Sequence, residues 1–209
     1  VSGVWALPGN GHSSWTFIYA PGAGASIKDG FGIFAADRLA ASGVATLRFQ
    51  FPYTEAGRRM VDRPPVLEAT WRAAILAARE ASPGLVVGGR SMGGRIASQV
   101  VAQGEGVDGL ALFAYPLHPP GQPDRLRTSH LPQITVPALF CSGTNDAFAT
   151  PEELQQASTL VPRAQVYMLT GADHSFRIAR VTGRRQKDVW DEAVTVFIDW
   201  LGSIGPASG

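Results

Sequence analysis

Leu85-Val86-Val87-Gly88-Gly89-Arg90-Ser91-Met92-Gly93-Gly94-Arg95-Ile96 decides how the chain folds. The apolar run Leu85–Gly88 predicts a buried strand, and Met92–Gln103 predicts a helix. Only a tight turn fits between them, and Gly89-Arg90-Ser91-Met92-Gly93 within it has the pattern G-x-S-x-G. The five-residue string recurs by chance, so its position between strand and helix is what gives it weight. A turn of this kind strains the serine backbone and lifts the hydroxyl above the sheet. Glycines two before and two after Ser91 let the crossing chains approach. The helix N-terminus then points unpaired N–H groups at developing negative charge. Ser91 is therefore the candidate nucleophile; the plainer alternative is a capping serine at a helix entry.

The pattern extends in both directions. Trp15–Ala20, Val44–Phe49, Leu110–Tyr115, Ala138–Ser142 and Val166–Leu169 are further short apolar runs bounded by Gly, Pro or Ser, as strands buried on both faces should be. Helical stretches separate them: Phe31–Ala41, Val66–Ala81 and Gln186–Leu201, the last with Trp190, Ala193, Phe197 and Leu201 on one stripe. Thr150-Pro151-Glu152-Glu153 marks another helix start, with Thr150 as cap and Glu153 reaching back. Such alternation predicts one α/β domain over residues 1–209, a mostly parallel sheet with helices on both faces. The longest non-periodic stretches, Pro52–Pro65 and Pro116–Val136, follow strand C-termini, where sheets of this class keep their ligands.

A serine nucleophile needs a base, and there are four histidines: His12, His118, His130 and His174. His174, in Gly171-Ala172-Asp173-His174-Ser175-Phe176, follows the last strand and precedes the last helix, and is the expected general base. His12 reads as a surface residue, while His118 and His130 read as loop hydrogen-bonders or substrate contacts. Asp146, in Ser142-Gly143-Thr144-Asn145-Asp146, is the expected acid that orients His174; Asp124 is its competitor, and Asp173 is too close in sequence to point at its neighbour. Tyr19-Ala20-Pro21-Gly22-Ala23-Gly24-Ala25 runs from a strand into a small-residue loop that suits an oxyanion hole. Ala23 and Met92 are the expected donors, with Gly24 as the alternative to Ala23. The loop lacks both the Lys-Ser/Thr of a phosphate-binding loop and the G-x-G-x-x-G spacing.

Composition narrows the function classes. A formal net charge of +1 gives nucleic-acid binding no electrostatic support. The cluster Arg177, Arg180, Arg184, Arg185 and Lys187 reads as a solvated face, with an anionic-substrate site as the alternative. The single cysteine, Cys141, lies in an apolar run and reads as a buried structural thiol. No apolar stretch is long enough to span a membrane, and no signal-peptide succession is visible, so the cytoplasm is the expected compartment.

Several blocks together resemble a known family. Pro21-Gly22-Ala23-Gly24, Leu47-Arg48-Phe49-Gln50-Phe51-Pro52-Tyr53, Gly88-Gly89-Arg90-Ser91-Met92-Gly93-Gly94-Arg95 and Tyr115-Pro116-Leu117-His118-Pro119-Pro120-Gly121 are four of them. With Gly143-Thr144-Asn145-Asp146 and Gly171-Ala172-Asp173-His174-Ser175-Phe176 they are similar, in order, to the dienelactone-hydrolase-like, KANL-type branch of the α/β-hydrolase superfamily. That branch includes small bacterial hydrolases and a subunit of the nonspecific-lethal chromatin complex. The likeness runs from about Tyr19 to Trp200; Pro21 departs from the His that many members of the wider superfamily carry there. It implies a triad of Ser91, Asp146 and His174 but does not settle the substrate; the chemistry of such a triad needs no metal or cofactor, and a small-molecule ester is the expected substrate. Gly24, Tyr53 and His118 are the expected substrate contacts. A binding platform without catalysis, and acyl transfer to an acceptor other than water, are the other readings the branch allows. Pro116–Val136 spans only 21 residues with five prolines, so a cap of long helices is not expected and the site should be open.

Overall fold

The structure, a computed structural model, describes residues 1–9, 11–179 and 183–205. Seven strands form one sheet in the order β1-β3-β2-β4-β5-β6-β7. They are β1 (Gly3–Ala6), β2 (Trp15–Ala20), β3 (Val44–Phe49), β4 (Gly84–Arg90), β5 (Gly109–Phe113), β6 (Ala138–Gly143) and β7 (Ala164–Leu169). All neighbours pair in parallel except β1, which runs antiparallel on β3 at the edge. The six strands expected from sequence are all present. β1 was not legible: exposed on both faces through Gly3–Trp5, it carries no burial pattern to read.

Among the described residues, six α-helices cover the sheet: α1 (Gly30–Ala41), the short α2 (Pro52–Glu55), α3 (Pro64–Ala78), α4 (Met92–Ala102), α5 (Pro151–Ser158) and α6 (Gln186–Ile204). Alternation along the strands splits the core into two layers. Ile18, Val87 and Leu112 face Trp71 of α3, Ile96 and Val100 of α4 and Leu154 of α5. Phe17, Tyr19, Val86 and Phe113 face the other way, onto Phe31 and Leu39 of α1 and Ala193 and Phe197 of α6. Within α6 the buried stripe is Val189, Ala193, Val194, Phe197, Trp200 and Leu201, while Trp190 lies partly buried against Phe31 and Phe34. α5 starts with the expected capping box: Glu153 N–H donates to Thr150 Oγ1 and Thr150 N–H to the Glu153 carboxylate. Cys141 is fully buried, and burial pushes its thiol pKa up.

This topology places the site. From β2 the chain crosses to β3 on one side, and from β4 it crosses to β5 on the other. The loops after β2 and β4 therefore diverge, leaving a crevice at the C-terminal ends of those two strands. The first loop holds Pro21–Gly24 and the second holds Ser91.

Candidate active site

Ser91 sits between β4 and α4 at φ 52°, ψ −118°, a strained conformation for a residue with a side chain. Its N–H donates to the Phe113 carbonyl at 2.8 Å, which fixes the turn against β5. Gly93 makes the turn possible. A Cβ there would lie 2.1 Å from the Ala20 carbonyl oxygen and 2.6 Å from that of Pro21. These are backbone atoms of β2 and its loop, so no side-chain rotation could relieve the clash.

Two loops bring the other residues to Ser91. The segment after β6 is joined to the segment after β7: Asn145 N–H donates to the Ala172 carbonyl at 2.9 Å, and Gly171 N–H donates to Thr144 Oγ1 at 2.8 Å. Asp173 shapes the second turn by accepting the Ser175 and Arg177 N–H groups at 2.8 and 2.9 Å. It is therefore a turn-forming residue. Across the joined loops, His174 Nδ1 lies 2.9 and 2.8 Å from the two carboxylate oxygens of Asp146. Its Nε2 lies 2.9 Å from Ser91 Oγ.

The carboxylate of Asp146 is held firmly. The residue is only 4% exposed, Phe148 N–H donates to one oxygen at 2.8 Å and Ser142 Oγ to the other at 3.1 Å. Phe148 also stacks on the imidazole, with ring centroids 4.0 Å apart. Sequence reasoning missed this ring; it stands two residues after the acid, a position with no pattern of its own. The competing acid, Asp124, lies on an exposed stretch of the loop after β5.

A cleft of about 470 Å³ opens over Ser91, lined by Gly22, Ala23, Met92, Phe148 and His174 among others. Among the described residues, the backbone N–H groups of Ala23 and Met92 have no protein acceptor. Two unspent donors beside a serine hydroxyl are what a developing oxyanion requires. Gly24 is different: its N–H donates to the Tyr53 hydroxyl at 2.8 Å.

That bond involves two of the expected substrate contacts. The Tyr53 hydroxyl accepts the Gly24 N–H, and the Tyr53 side chain is fully buried beside Phe51, where it braces the loop after β2. The third, His118, has protein partners of its own. It is buried, with Nδ1 2.8 Å from the Pro119 carbonyl and Nε2 3.2 Å from Glu153, and it does not line the Ser91 cleft. His130 lies 2.8 Å from Ser98 Oγ, also away from Ser91. The bracing role of Tyr53 is testable. Tyr53→Phe removes the partner of the Gly24 N–H and is expected to cost about 0.5–1.5 kcal/mol, read as a lowered urea midpoint.

The basic cluster is largely compensated on the surface. Arg184 pairs with Glu192, Arg185 with Asp188 at 2.9 Å, and Lys187 lies over the Phe34 ring. Arg180 of that cluster lies outside the described residues.

Comparison with known proteins agrees with this architecture. A sequence profile of the family described as "Alpha/beta hydrolase domain" matches residues 13–202. The chain belongs to the α/β-hydrolase family. Among solved structures, it is similar to Est1E from Butyrivibrio proteoclasticus bound to ferulic acid, at 13% identity and a TM-score of 0.75, covering 96% of this α/β hydrolase and 95% of that chain. A dienelactone hydrolase from Anabaena variabilis superposes with a TM-score of 0.75 at 18% identity, over 96% and 90% of the two chains. XC6422 from Xanthomonas campestris, described as an a/b serine hydrolase without lid, gives 0.72 at 19% identity over 99% and 90%. At these identities the likeness establishes the shared fold. One curated relative, the polyketide synthase ThaQ of Burkholderia thailandensis, is 29% identical over 72 residues, and the match spans 34% of this α/β hydrolase and 3% of that protein.

Proposed function

We propose that this α/β hydrolase cleaves carboxylic esters through an acyl-enzyme intermediate, with Ser91 as nucleophile, His174 as general base and Asp146 as the acid that orients it. The observation that carries the reading is the continuous chain of contacts, Ser91 Oγ to His174 Nε2 at 2.9 Å and His174 Nδ1 to Asp146 at 2.8 Å. Asp146 accepts a hydrogen bond from Nδ1–H, which keeps that proton on Nδ1 and leaves Nε2 free to take the Ser91 proton. Ser91 Oγ then bonds to the ester carbonyl carbon, and the carbonyl oxygen takes on negative charge facing the Ala23 and Met92 N–H groups. His174 passes its proton to the departing alkoxide, and the alcohol leaves. Water, deprotonated by the same imidazole, attacks the acyl-enzyme; the bond from the acyl carbon to Ser91 Oγ breaks, His174 returns the proton to Oγ, and the acid leaves.

Substrate size follows from the rim. Between β5 and β6 the described chain contains only a 3₁₀ turn at Leu131–Gln133 and no α-helix, so no helical cap closes over Ser91. An uncovered cleft of about 470 Å³ suits short acyl groups, or an ester displayed on a larger molecule. Support also comes from the relatives, several of which are described as esterases.

A fluorophosphonate probe tests the reading without knowledge of the natural substrate. It is expected to label the folded protein covalently, with labelling lost in Ser91→Ala. Folded wild-type protein that stays unlabelled would leave the fold as a binding platform and overturn the hydrolase reading.

A further inference from the structure

Three arginines line the Ser91 cleft: Arg90, Arg95 and Arg127. Arg90 is neutralised by Asp29 at 2.9 Å, and Asp29 in turn caps α1 and accepts the Tyr19 hydroxyl. The other two lack such a partner. Among the described residues neither Arg95 nor Arg127 has a carboxylate within ion-pair distance, whereas Arg38, Arg58, Arg72, Arg184 and Arg185 each have one. Arg127 spends one donor on the Pro116 carbonyl at 3.1 Å, and the Arg95 guanidinium makes no hydrogen bond with the described residues.

Their positions are fixed. Arg95 lies in the first turn of α4, its N–H bonded to the Ser91 carbonyl at 3.0 Å, and both residues line the cleft. Arg127 is held by its N–H to the Leu117 carbonyl at 2.8 Å and by its carbonyl to the Tyr115 hydroxyl at 2.7 Å. Both residues are half-buried. Burial, and after it the charge of Arg127, pushes the Arg95 pKa below its ordinary value; burial does the same to Arg127. His130 adds no further positive charge, since burial and then Arg95 push its pKa down to about 4 and keep it neutral. Among the described residues that line the cleft there is no carboxylate; Asp146 lies buried behind His174, committed to His174, Ser142 and Phe148.

Two like charges half-withdrawn from water, facing one cavity with most of their donors unspent, form a receptor for an anion. We infer that Arg95 and Arg127 form an anion subsite, and that the ester cleaved at Ser91 carries a carboxylate a few bonds from its scissile carbonyl. The inference rests on the proposed hydrolysis and adds the charge of its substrate. Guanidinium forks match the two oxygens of a carboxylate, and the ligand charge would relieve the repulsion between the arginines.

Two ethyl esters of nearly the same shape provide the test: monoethyl succinate, an anion at pH 7.5, and its neutral amide, ethyl succinamate. Rates are followed by proton release. The ratio of kcat/KM for acid over amide is expected to be about 10 to 100 in wild type. It should fall about tenfold in Arg95→Gln and in Arg127→Gln, recover in part in Arg95→Lys, and stay constant in Arg185→Gln on the exposed surface. Because each ratio is taken within one protein, it does not depend on how much of a variant folds. Calorimetric titration of Ser91→Ala with the same two compounds reads the subsite without turnover, and the acid is expected to bind at least tenfold more tightly. Hydrolysis with no preference for the anion overturns the subsite and leaves the hydrolase reading standing. Charge-selective binding without hydrolysis of either ester in wild type does the reverse.

Discussion

Ser91→Ala is expected to lower kcat for a short ester about 10⁶-fold, His174→Ala by a similar factor, and the double variant by no more than either alone. The reason lies in the 2.9 Å contact between Ser91 Oγ and His174 Nε2. A serine hydroxyl is a weak nucleophile unless its proton is removed as the carbon–oxygen bond forms, and an imidazole in this position has no other proton to take. Either deletion abolishes the same step, so a second deletion has nothing further to remove. Residual turnover would come from the Ala23 and Met92 donors acting on water attack, typically ~10³–10⁴ above the uncatalysed rate. Steady-state rates with a short p-nitrophenyl ester check this, with thermal unfolding run alongside. Losses that multiply in the double variant would mean that the two side chains act on separate steps, contrary to the proposed mechanism.

What the sequence made legible and what it hid have the same physical origin. Strands buried on both faces are continuous apolar runs, so β2 and β3 could be read to the residue. β1 is exposed, follows the antiparallel edge and has no such run, so only pairing with β3 reveals it. Within the Pro52–Pro65 loop, α2 is one turn long, too short for periodicity to register. The site divides in the same way. Ser91, Asp146 and His174 could be placed because each follows a strand whose end was readable, and loops at strand ends converge. Tyr53 and His118 looked like substrate contacts because they stand in loops on that same rim. Their side chains turn inward, toward Gly24 and Glu153, and direction within a loop is set by tertiary packing. Arg95 carried a usable signal, being four residues after Ser91 on a helix; Arg127 carried none, since only the folded loop after β5 brings it to the cleft.

Asp146→Asn should lower kcat by about 10⁴, with the fold intact, whereas Asp124→Asn should leave it unchanged. The substituted side chain could still accept the Phe148 N–H through its amide oxygen, which would turn its NH₂ toward the imidazole in place of the oxygen that now lies 2.8 Å from His174 Nδ1. An amide donor there requires Nδ1 to accept, so the ring proton moves to Nε2. An Nε2 that already carries hydrogen cannot take the proton of Ser91. The base would be in place but in the wrong tautomer, and the imidazolium of the transition state would lose its counter-charge. Asp124 has no comparable leverage: it is exposed, while both Asp146 oxygens already stand at Nδ1. The discriminating measurement is kcat for both variants beside their urea midpoints. A collapse in Asp124→Asn with Asp146→Asn still active would move the acid to the loop after β5, and a loss in Asp146→Asn matched by unfolding would reduce Asp146 to a loop anchor. A 10⁴-fold loss with an unchanged midpoint places the effect on the imidazole, through its tautomer and its counter-charge, because His174 is what links this buried carboxylate to the Ser91 hydroxyl.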